Sequence, residues 1–525
     1  MRRFALAAAL LCGTALCAQA QTFRWANDGD VNSMDPYTRQ ETFLLAFGSN
    51  FYEPLVRRNA QMQPEPALAV SWEQPSPTVW RFHLRQGVKF SDGTPFTADD
   101  VIFSAQRARA PGSNIQSVLA SVKEIRKVDD HTVDFETTQP DPILIQEITN
   151  WGMFSKAWSE KNNATRPADL TSREENFATR NAMGTGPFLL VSREPDRRTV
   201  LQPNPNWWDK PVHNLQRVEL NIIANDATRV AALLSNEVDF LYTVPPQDVT
   251  RISNTPGARI IQGPELRTVY FGLDQSRPQL LKSDVQGRNP FQDVRVRRAM
   301  LLAIDVNAIQ RTVMRGQSRP TNLLYGPGVN GFLEADDVRP AVNINEAKKL
   351  LADAGYPNGF GVTLDCPNDR YVNDEAICTA TVSMLARIGI RVTLNAQTRA
   401  RFFAEVNAPR YNTSFYMLGW TPTTSDAHNS LYSLAGTRDG TRGVFNNGGY
   451  SNPRFDTLVD QIAVETDPAK RQAYISQASK ILQDDVAYLP LHQQQIVWAA
   501  RQGVEVPQTA DNYIQLRLVR MPAAR

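Results

Sequence analysis

The stretch PALAVSWEQPSPTVWRFHLRQGVKFSDGTPFTADDVIFSA, from Pro66 to Ala105, places a strand, a turn and a helix start next to one another. Apolar residues interspersed with polar ones from Val79 to Leu84 predict the strand. The triplet Ser91-Asp92-Gly93 predicts the turn, because each of its residues favours turn geometry. Thr97 followed by Asp100 has the capping-box spacing and predicts a helix that begins just after Thr97. The segment therefore predicts a mixed α/β architecture.

Strand-like and helix-like patterns alternate along the rest of the chain, without internal repeats. Several helices are predicted in detail from their caps and apolar spacing. They are the helix within 227–239 with Asn236 as a left-handed end, the helix within 290–304 with Arg295, Arg297 and Arg298 as its solvated face, the helix capped by Asn343 with Glu346 at the capping-box position, and the helix opened by Asp467 and Pro468.

The N-terminus has the three parts of a secretory signal peptide. Arg2 and Arg3 precede an apolar run, and Ala18-Gln19-Ala20 forms a small-x-small cleavage site. We expect cleavage near Ala20 and a free periplasmic protein. A lipid anchor is not expected, because Cys12 and Cys17 each follow a leucine rather than a small residue.

Composition argues against nucleic acid or an anionic membrane as the partner. The full chain has 56 Lys and Arg residues against 54 Asp and Glu residues, and loss of Arg2 and Arg3 with the signal leaves 54 of each. A mature chain with no net charge gives no electrostatic reason to bind a polyanion.

The sequence carries no common enzyme signature. The motifs HExxH, GxxxxGK[ST], GxSxG and CxxC are all missing. The acidic pairs Asp99-Asp100 and Asp484-Asp485 fall in predicted helices, where adjacent side chains do not face each other. A secreted hydrolase stays only as a remote alternative.

No metal site or cofactor is predicted either. Metal-binding histidines are typically found in short paired spacings. The five histidines here are widely scattered; they are His83, His131, His213, His428 and His492.

Segments along nearly the whole mature chain resemble extracellular solute-binding proteins family 5, the dipeptide- and oligopeptide-binding receptors of ABC importers. Besides the opening stretch, the matching segments are GTGPFLL at 184–190, NWWDKP at 206–211, ATRVAALLSNEVDF at 227–240, PFQDVRVRRAMLLAID at 290–305, EAKKLLADAGYPNGF at 346–360 and LARIGIRV at 385–392.

The resemblance implies the α/β, two-lobed periplasmic-binding-protein fold (type II, cluster C-like), with an extra domain inserted in the first lobe. By analogy the signal peptide is 1–20 and the first lobe comprises 21–50, 183–264 and 498–525. The inserted domain is 51–182 and the second lobe is 265–497.

The resemblance also implies a function without bond chemistry. The protein would be a monomer that captures short peptides or peptide-like solutes between its lobes. It would deliver them to an ABC permease whose separate ATPase subunits supply the energy.

The region SFYMLGWTPTTSDAHNSLY, Ser414 to Tyr432, resembles the family segment that lies at the cleft. There the backbone of Gly419, Trp420 and Thr421 would pair with an extended peptide, which gives affinity whatever the ligand's side chains are. The opposite wall would be contacted by Ser33 and Met34. The alternative for Trp420 is a purely structural place in the core.

Arg370 resembles the position at which dipeptide receptors hold the ligand carboxylate, for which a guanidinium fork is suited. It is bracketed by Cys366 and Cys378, which can pair in an oxidising compartment if their Cα atoms come close enough. A bridge would stiffen the loop that carries Arg370. The alternatives are two free thiols and a solvated arginine.

One position departs from the family pattern. Peptide receptors usually have an aspartate three residues after the tryptophan of the GW pair, where it meets the ligand's ammonium group; this chain has Thr423. Asp426 could take over that role, and His428 and Asn429 could contact other polar groups. If Asp426 does not reach the cleft, the ligand could instead be a modified peptide, a glutathione-like compound, an opine or sugar-like solute, or a metal chelate.

Overall fold

A computed structural model describes residues 21–522, so the predicted signal peptide lies outside the described residues. The strands are β1 Thr22–Asn27, β2 Val56–Arg58, β3 Pro64–Pro66, β4 Ala69–Ser76, β5 Val79–Leu84, β6 Val122–Asp129, β7 Thr132–Thr137, β8 Phe188–Glu194, β9 Arg198–Pro203, β10 Arg217–Ile222, β11 Phe240–Leu241, β12 Ala258–Leu273, β13 Ser318–Pro320, β14 Gly361–Pro367, β15 Arg391–Gln397, β16 Phe415–Trp420 and β17 Leu489–Arg501.

The α-helices lie mainly between these strands, together with short 3₁₀ and π-helical turns. They are α1 Thr42–Gly48, α2 Ala98–Arg109, α3 Leu144–Glu147, α4 Lys156–Lys161, α5 Phe177–Arg180, α6 Asp226–Leu234, α7 Val249–Ser253, α8 Val294–Ala303, α9 Val306–Ala308, α10 Ile344–Asp353, α11 Asp374–Ala386, α12 Arg399–Val406, α13 Ala427–Ser430, α14 Pro453–Val464 and α15 Pro468–Asp484.

One long sheet connects two lobes. Its order is β15-β14-β16-β12-β17-β11-β1-β10-β9-β8, with β13 paired to β17. The first lobe is built on β1 and β8 to β11, and the second lobe on β13 to β16. The long antiparallel strands β12 and β17 run through both, pairing from Ala258↔Arg501 to Phe271↔Leu489. These two strands connect the lobes.

A separate four-stranded sheet, β4-β5-β7-β6, forms an extra layer beside the first lobe. Its buried side chains join those of the first lobe in one continuous core, while the second lobe has two cores of its own. We call the part of the chain from 51 to 182 the inserted segment. The element pattern agrees with a mixed α/β protein.

The local predictions around the opening stretch are confirmed. Strand β5 spans Val79–Leu84, and α2 starts directly after Thr97, whose backbone N–H donates to Asp100 Oδ2 at 3.0 Å. Asn236 has φ of 65°, as expected for a left-handed helix end. Asn343 and Asp467 accept the capping hydrogen bonds of α10 and α15.

The prediction for the arginines of α8 is wrong at one position. Arg295 and Arg298 are exposed, but Arg297 is buried. Its guanidinium donates to the carbonyl oxygens of Phe291 at 2.7 Å and of Val486 at 3.1 Å. Arg297 therefore joins the residues just before α8 to the residues just after α15. Helical spacing does not reveal such a contact.

Among residues 21–522, no helix combines the length and the apolar content needed to cross a membrane.

Candidate ligand-binding cavity

A cavity of about 830 Å³ lies between the two lobes. The first lobe contributes residues 27–30, 41–43, 224–226 and 242–246, the second lobe contributes Gln317, residues 368–376 and Arg399, and the crossing strands contribute Arg267 and residues 494–497. A volume of this size falls within the range of about 300–1,000 Å³ that is usual for small-molecule sites.

Carboxylates outnumber guanidinium groups in the cavity wall. The acidic residues are Asp28, Asp30, Glu41, Asp226, Asp369, Asp374 and Glu375, and the basic residues are Arg229, Arg267, Arg370 and Arg399. Several are neutralised within the protein, as in the ion pairs Arg193–Asp30 and Arg229–Asp226.

Arg370 lies in the second-lobe wall on a well-held segment. The buried Asp374 carboxylate accepts the backbone N–H groups of Arg370 and Tyr371, each at 3.0 Å. Cys366 and Cys378 form a disulfide on either side of the segment. The Arg370 guanidinium lies over the Tyr371 ring, 5.2 Å from its centroid, and among the described residues no carboxylate pairs with it. A half-buried cation without a counter-ion is thus presented to the cavity.

Tyr371 covers the strand end that was predicted to pair with a peptide. Its hydroxyl donates to the Gly419 carbonyl at 3.4 Å, and a Cβ at Gly419 would lie 2.7 Å from the Tyr371 ring. Gly419 must therefore be glycine because Tyr371 packs directly on its backbone. The three residues 419–421 are not in the cavity wall.

Trp420 and Thr421 are instead engaged with the protein itself. The Trp420 ring packs against Phe445 at 4.9 Å, and its indole N–H donates to Asn429 Oδ1 at 3.0 Å. Thr421 Oγ1 accepts a hydrogen bond from Arg267 Nε at 3.2 Å. The structure therefore places Trp420 with Asn429, and Thr421 with Arg267, in contacts within the protein.

Asp426 is not available to a ligand. It is fully buried, and both of its carboxylate oxygens accept hydrogen bonds from Arg471, each at 2.9 Å. Asn330 Nδ2 donates to the same carboxylate at 2.7 Å, and the His428 backbone N–H at 2.8 Å. Asp426 thus caps α13 and neutralises Arg471, and its predicted role as the ammonium anchor stays a prediction that this placement does not favour.

His428 is also placed outside the cavity wall. Its ring stacks against Tyr432 at 5.3 Å, and burial lowers its pKa to about 4. In the described part of the chain, no group of three His, Cys, Asp or Glu side chains is arranged to hold a metal ion.

Ser33 and Met34 are likewise buried rather than exposed to the cavity. Ser33 Oγ accepts the backbone N–H of Asp35 at 3.0 Å, and the Met34 N–H donates to the Thr179 carbonyl at 2.9 Å. The Asp35 carboxylate in turn pairs with the fully buried Arg107. This loop fastens the first lobe to the inserted segment, and neither Ser33 nor Met34 lies in the cavity wall. Ligand contact by these two residues stays a prediction.

Thr423, the departure from the family pattern, takes part in contacts between opposite sides of the cleft. Its carbonyl accepts hydrogen bonds from Arg58 at 2.7 Å and Asn150 at 2.9 Å, both in the inserted segment. Its hydroxyl accepts one from Gln40 at 3.3 Å. The position is therefore occupied by contacts that hold the lobes together.

Sequence reasoning missed the first-lobe wall of the cavity. Glu41 precedes α1, and Phe43 and Tyr242 pack beside it with ring centroids 5.3 Å apart. In the sequence, this wall is marked only by a single acidic residue, Glu41, before the apolar run TFLLAF. An acidic residue before an apolar run is also typical of an ordinary helix start.

Comparison with known proteins identifies the family. The model of bacterial extracellular solute-binding proteins, family 5 (middle), matches residues 63–442. The chain belongs to this family.

Relatives and solved structures agree with this family 5 assignment. The glutathione-binding protein GsiB of Escherichia coli (strain K12) is 24% identical over 502 residues, covering 94% of this chain and 93% of GsiB. DppA from Helicobacter pylori, in complex with the peptide STSA, superposes with a TM-score of 0.80 at 23% identity, covering 95% of this chain and 96% of DppA.

A dipeptide-binding protein from Pseudoalteromonas sp. SM9913, in complex with Met-Leu, gives a TM-score of 0.81 at 22% identity and covers 96% of this chain and 99% of that chain. These likenesses confirm the predicted two-lobed family 5 fold.

Proposed function

We propose that this protein is the solute-binding subunit of an ABC importer and captures short peptides or peptide-like solutes in the cavity between its lobes. It then delivers them to a membrane permease, and the ATPase subunits of that importer supply the energy. It works in the periplasm as a monomer, after removal of residues 1–20. The observation that carries the proposal is an inter-lobe cavity of about 830 Å³ with an unpaired guanidinium, Arg370, in its wall.

Arg370 binds the carboxylate of the solute in this proposal. Its guanidinium is half-buried and free of protein carboxylates, and Asp374 holds its backbone in place. A planar fork of N–H donors matches a carboxylate in two parallel hydrogen bonds. Because the supporting segment is already ordered, little conformational entropy is lost on binding.

Lobe closure couples binding to delivery. The ligand is enclosed by walls from both lobes, so it binds the closed state more tightly and shifts the population toward it. The hydrogen bonds to Thr423 join the two sides of the cleft and so favour closure.

We place the lobe boundaries within β12 and β17, the two strands that run from one lobe into the other. The first lobe comprises 21–50, 183–264 and 498–525, the second lobe 265–497, and the inserted domain 51–182. The supporting observation is that β12 and β17 are shared by both halves of the sheet.

A second candidate solute is glutathione or a compound like it. It is favoured by the similarity to GsiB, which extends over 94% of this chain. Glutathione is itself a modified tripeptide, so it fits the same cavity chemistry.

The test is a melting experiment on ligand-free protein. Residues 21–525 are unfolded and refolded to remove any bound solute, then heated with dipeptides, tripeptides, glutathione, opines or metal chelates. A bound solute at a hundred times its Kd stabilises the folded state by about 2.7 kcal/mol and raises the melting temperature. Replacing Arg370 with Ala should abolish the shift, while Arg387→Ala, an exposed arginine elsewhere in the second lobe, should leave it intact.

A shift from opines or chelates alone would keep the importer role but overturn the peptide assignment. Recovery of cleaved peptides after incubation would instead favour the hydrolase alternative.

A further inference from the structure

Two half-buried charged side chains in the cavity wall have no protein partner. They are Glu41 in the first lobe and Arg370 in the second. Within residues 21–522, the other buried or half-buried charges of the wall are each satisfied. Asp30 pairs with Arg193, Arg229 with Asp226 and Arg267 with Glu265, and Asp374 accepts backbone N–H groups. A charge partly removed from water and left unpaired is costly unless a ligand completes it.

Two polar side chains close to Glu41, Arg267 and Tyr242, are committed elsewhere. Arg267 donates to the hydroxyls of Thr42 at 3.3 Å and Thr421 at 3.2 Å, and it pairs with the buried Glu265 at 3.3 Å. The Tyr242 hydroxyl donates to the Asn512 carbonyl at 2.7 Å. The Glu41 carboxylate is therefore left as an acceptor for a group that comes from outside the protein.

The surroundings of Glu41 suit a cation. Phe43 and Tyr242 line the cavity beside it and present aromatic surface, which attracts ammonium groups. The seven carboxylates and four guanidinium groups of the wall give the cavity an excess of negative charge. Both features oppose a second anionic group at this end of the cavity and favour an ammonium group.

The second-lobe position that would otherwise offer an ammonium anchor is occupied. Thr423 carries no charge, and both its carbonyl and its hydroxyl are bonded across the cleft. Asp426 is paired with Arg471. No free carboxylate remains in that loop of the second lobe.

We propose that Glu41 binds the ammonium group of the solute while Arg370 binds its carboxylate. The solute is then a zwitterion whose opposite charges are held by opposite lobes, so that the ligand itself bridges the cleft. This inference rests on the proposed function and adds the residue that determines specificity for a free amino group.

The test is a set of calorimetric titrations of refolded residues 21–525. The ligands are tri-alanine, N-acetyl-tri-alanine, glutathione and N-acetyl-glutathione. Wild type is compared with Glu41→Gln and with the control Glu237→Gln, an exposed carboxylate of the first lobe that lies outside the cavity wall. The melting temperature of each unliganded variant confirms that it is folded.

We expect Glu41→Gln to weaken binding of the free-amine ligand by about tenfold or more, as for loss of one member of a desolvated charge pair. Acetylation should weaken wild-type binding similarly and have little further effect in Glu41→Gln. Glu237→Gln should change affinity by less than about threefold.

Equal binding of free and acetylated ligands to wild type, or an equal loss of both in Glu41→Gln, would overturn the role of Glu41 while leaving the proposed function intact. If neither tri-alanine nor glutathione binds and no other peptide-like solute raises the melting temperature, the proposed function itself fails, and this inference with it.

Discussion

Arg58 and Thr423 lie on opposite sides of the cleft and are joined by a 2.7 Å hydrogen bond from the guanidinium to the carbonyl oxygen. Asn150 donates to the same carbonyl at 2.9 Å. None of these three residues is in the wall of the ligand cavity. The contacts therefore join the two sides of the cleft at a place outside the cavity wall.

Replacing Asn150 with Ala should weaken solute binding although the cavity is unchanged. Loss of one hydrogen bond costs about 0.5–1.5 kcal/mol, so we expect Kd to rise about fivefold. Calorimetry measures the affinity, and small-angle scattering with saturating solute measures closure.

The matched control for Asn150 is Asn214→Ala, which removes a 2.8 Å bond from a side-chain amide to the Met521 carbonyl, away from the cavity wall. It should leave Kd unchanged. Equal affinities for wild type and Asn150→Ala would show that the Thr423 contacts do not contribute to closure.

Replacing Asp426 with Ala should damage the fold rather than ligand specificity. The change leaves the buried Arg471 without its counter-ion, which costs about 3–5 kcal/mol of unfolding free energy. Urea unfolding measures the loss. Asp460→Ala removes an exposed partner of Arg442 and should cost less than about 1 kcal/mol. A stable Asp426→Ala protein that no longer binds peptides would restore Asp426 as a ligand contact.

Removing the disulfide should loosen the segment that holds Arg370. The double change Cys366→Ala and Cys378→Ala opens a loop with a sequence separation of 12, and a closed loop of this size stabilises by about 3 kcal/mol. We expect lower stability together with weaker solute binding. Reductant should lower the affinity of wild type but not of the double variant. An unchanged Kd in the double variant would show that Asp374 alone is enough to hold Arg370.

Unfolding free energy should depend on pH through His492. Burial lowers its pKa to about 4, against about 6.5 in an unfolded chain. Between these values the unfolded state binds the extra proton, so this residue's contribution to stability falls as the pH is lowered from about 6.5 towards 4. In the His492→Gln protein, the unfolding free energy should lack this contribution to its pH dependence, which is about 1 kcal/mol per pH unit. Urea unfolding at pH 4.5, 5.5 and 7 checks it, and identical slopes for both proteins would exclude the effect.

Structural features that depend only on residues close together in the sequence could be predicted. The bounds of β5, the start of α2 after Thr97, and the caps Asn343 and Asp467 each depend on neighbours within a few positions. The left-handed Asn236 belongs to the same class. Local propensity and capping decide such features, and tertiary packing does not change them here.

Features that depend on distant partners could not be predicted. Asp426 is neutralised by Arg471, and Arg297 is buried against the carbonyl of Val486. Ser33 is buried in a loop beside the Asp35–Arg107 ion pair. Glu41 lies in the cavity wall because α1, which it precedes, packs within the first lobe, and this is a tertiary contact. Sequence spacing alone carries no information about such pairings.

The most direct measurement is a calorimetric titration of ligand-free residues 21–525 with the peptide-like solute that gives the largest melting shift. We expect one site with a Kd near micromolar, equivalent to about 8 kcal/mol. Binding should be lost in Arg370→Ala and weakened in Glu41→Gln. Absence of binding by every peptide-like solute, or binding that neither change affects, would contradict the proposed function and its site.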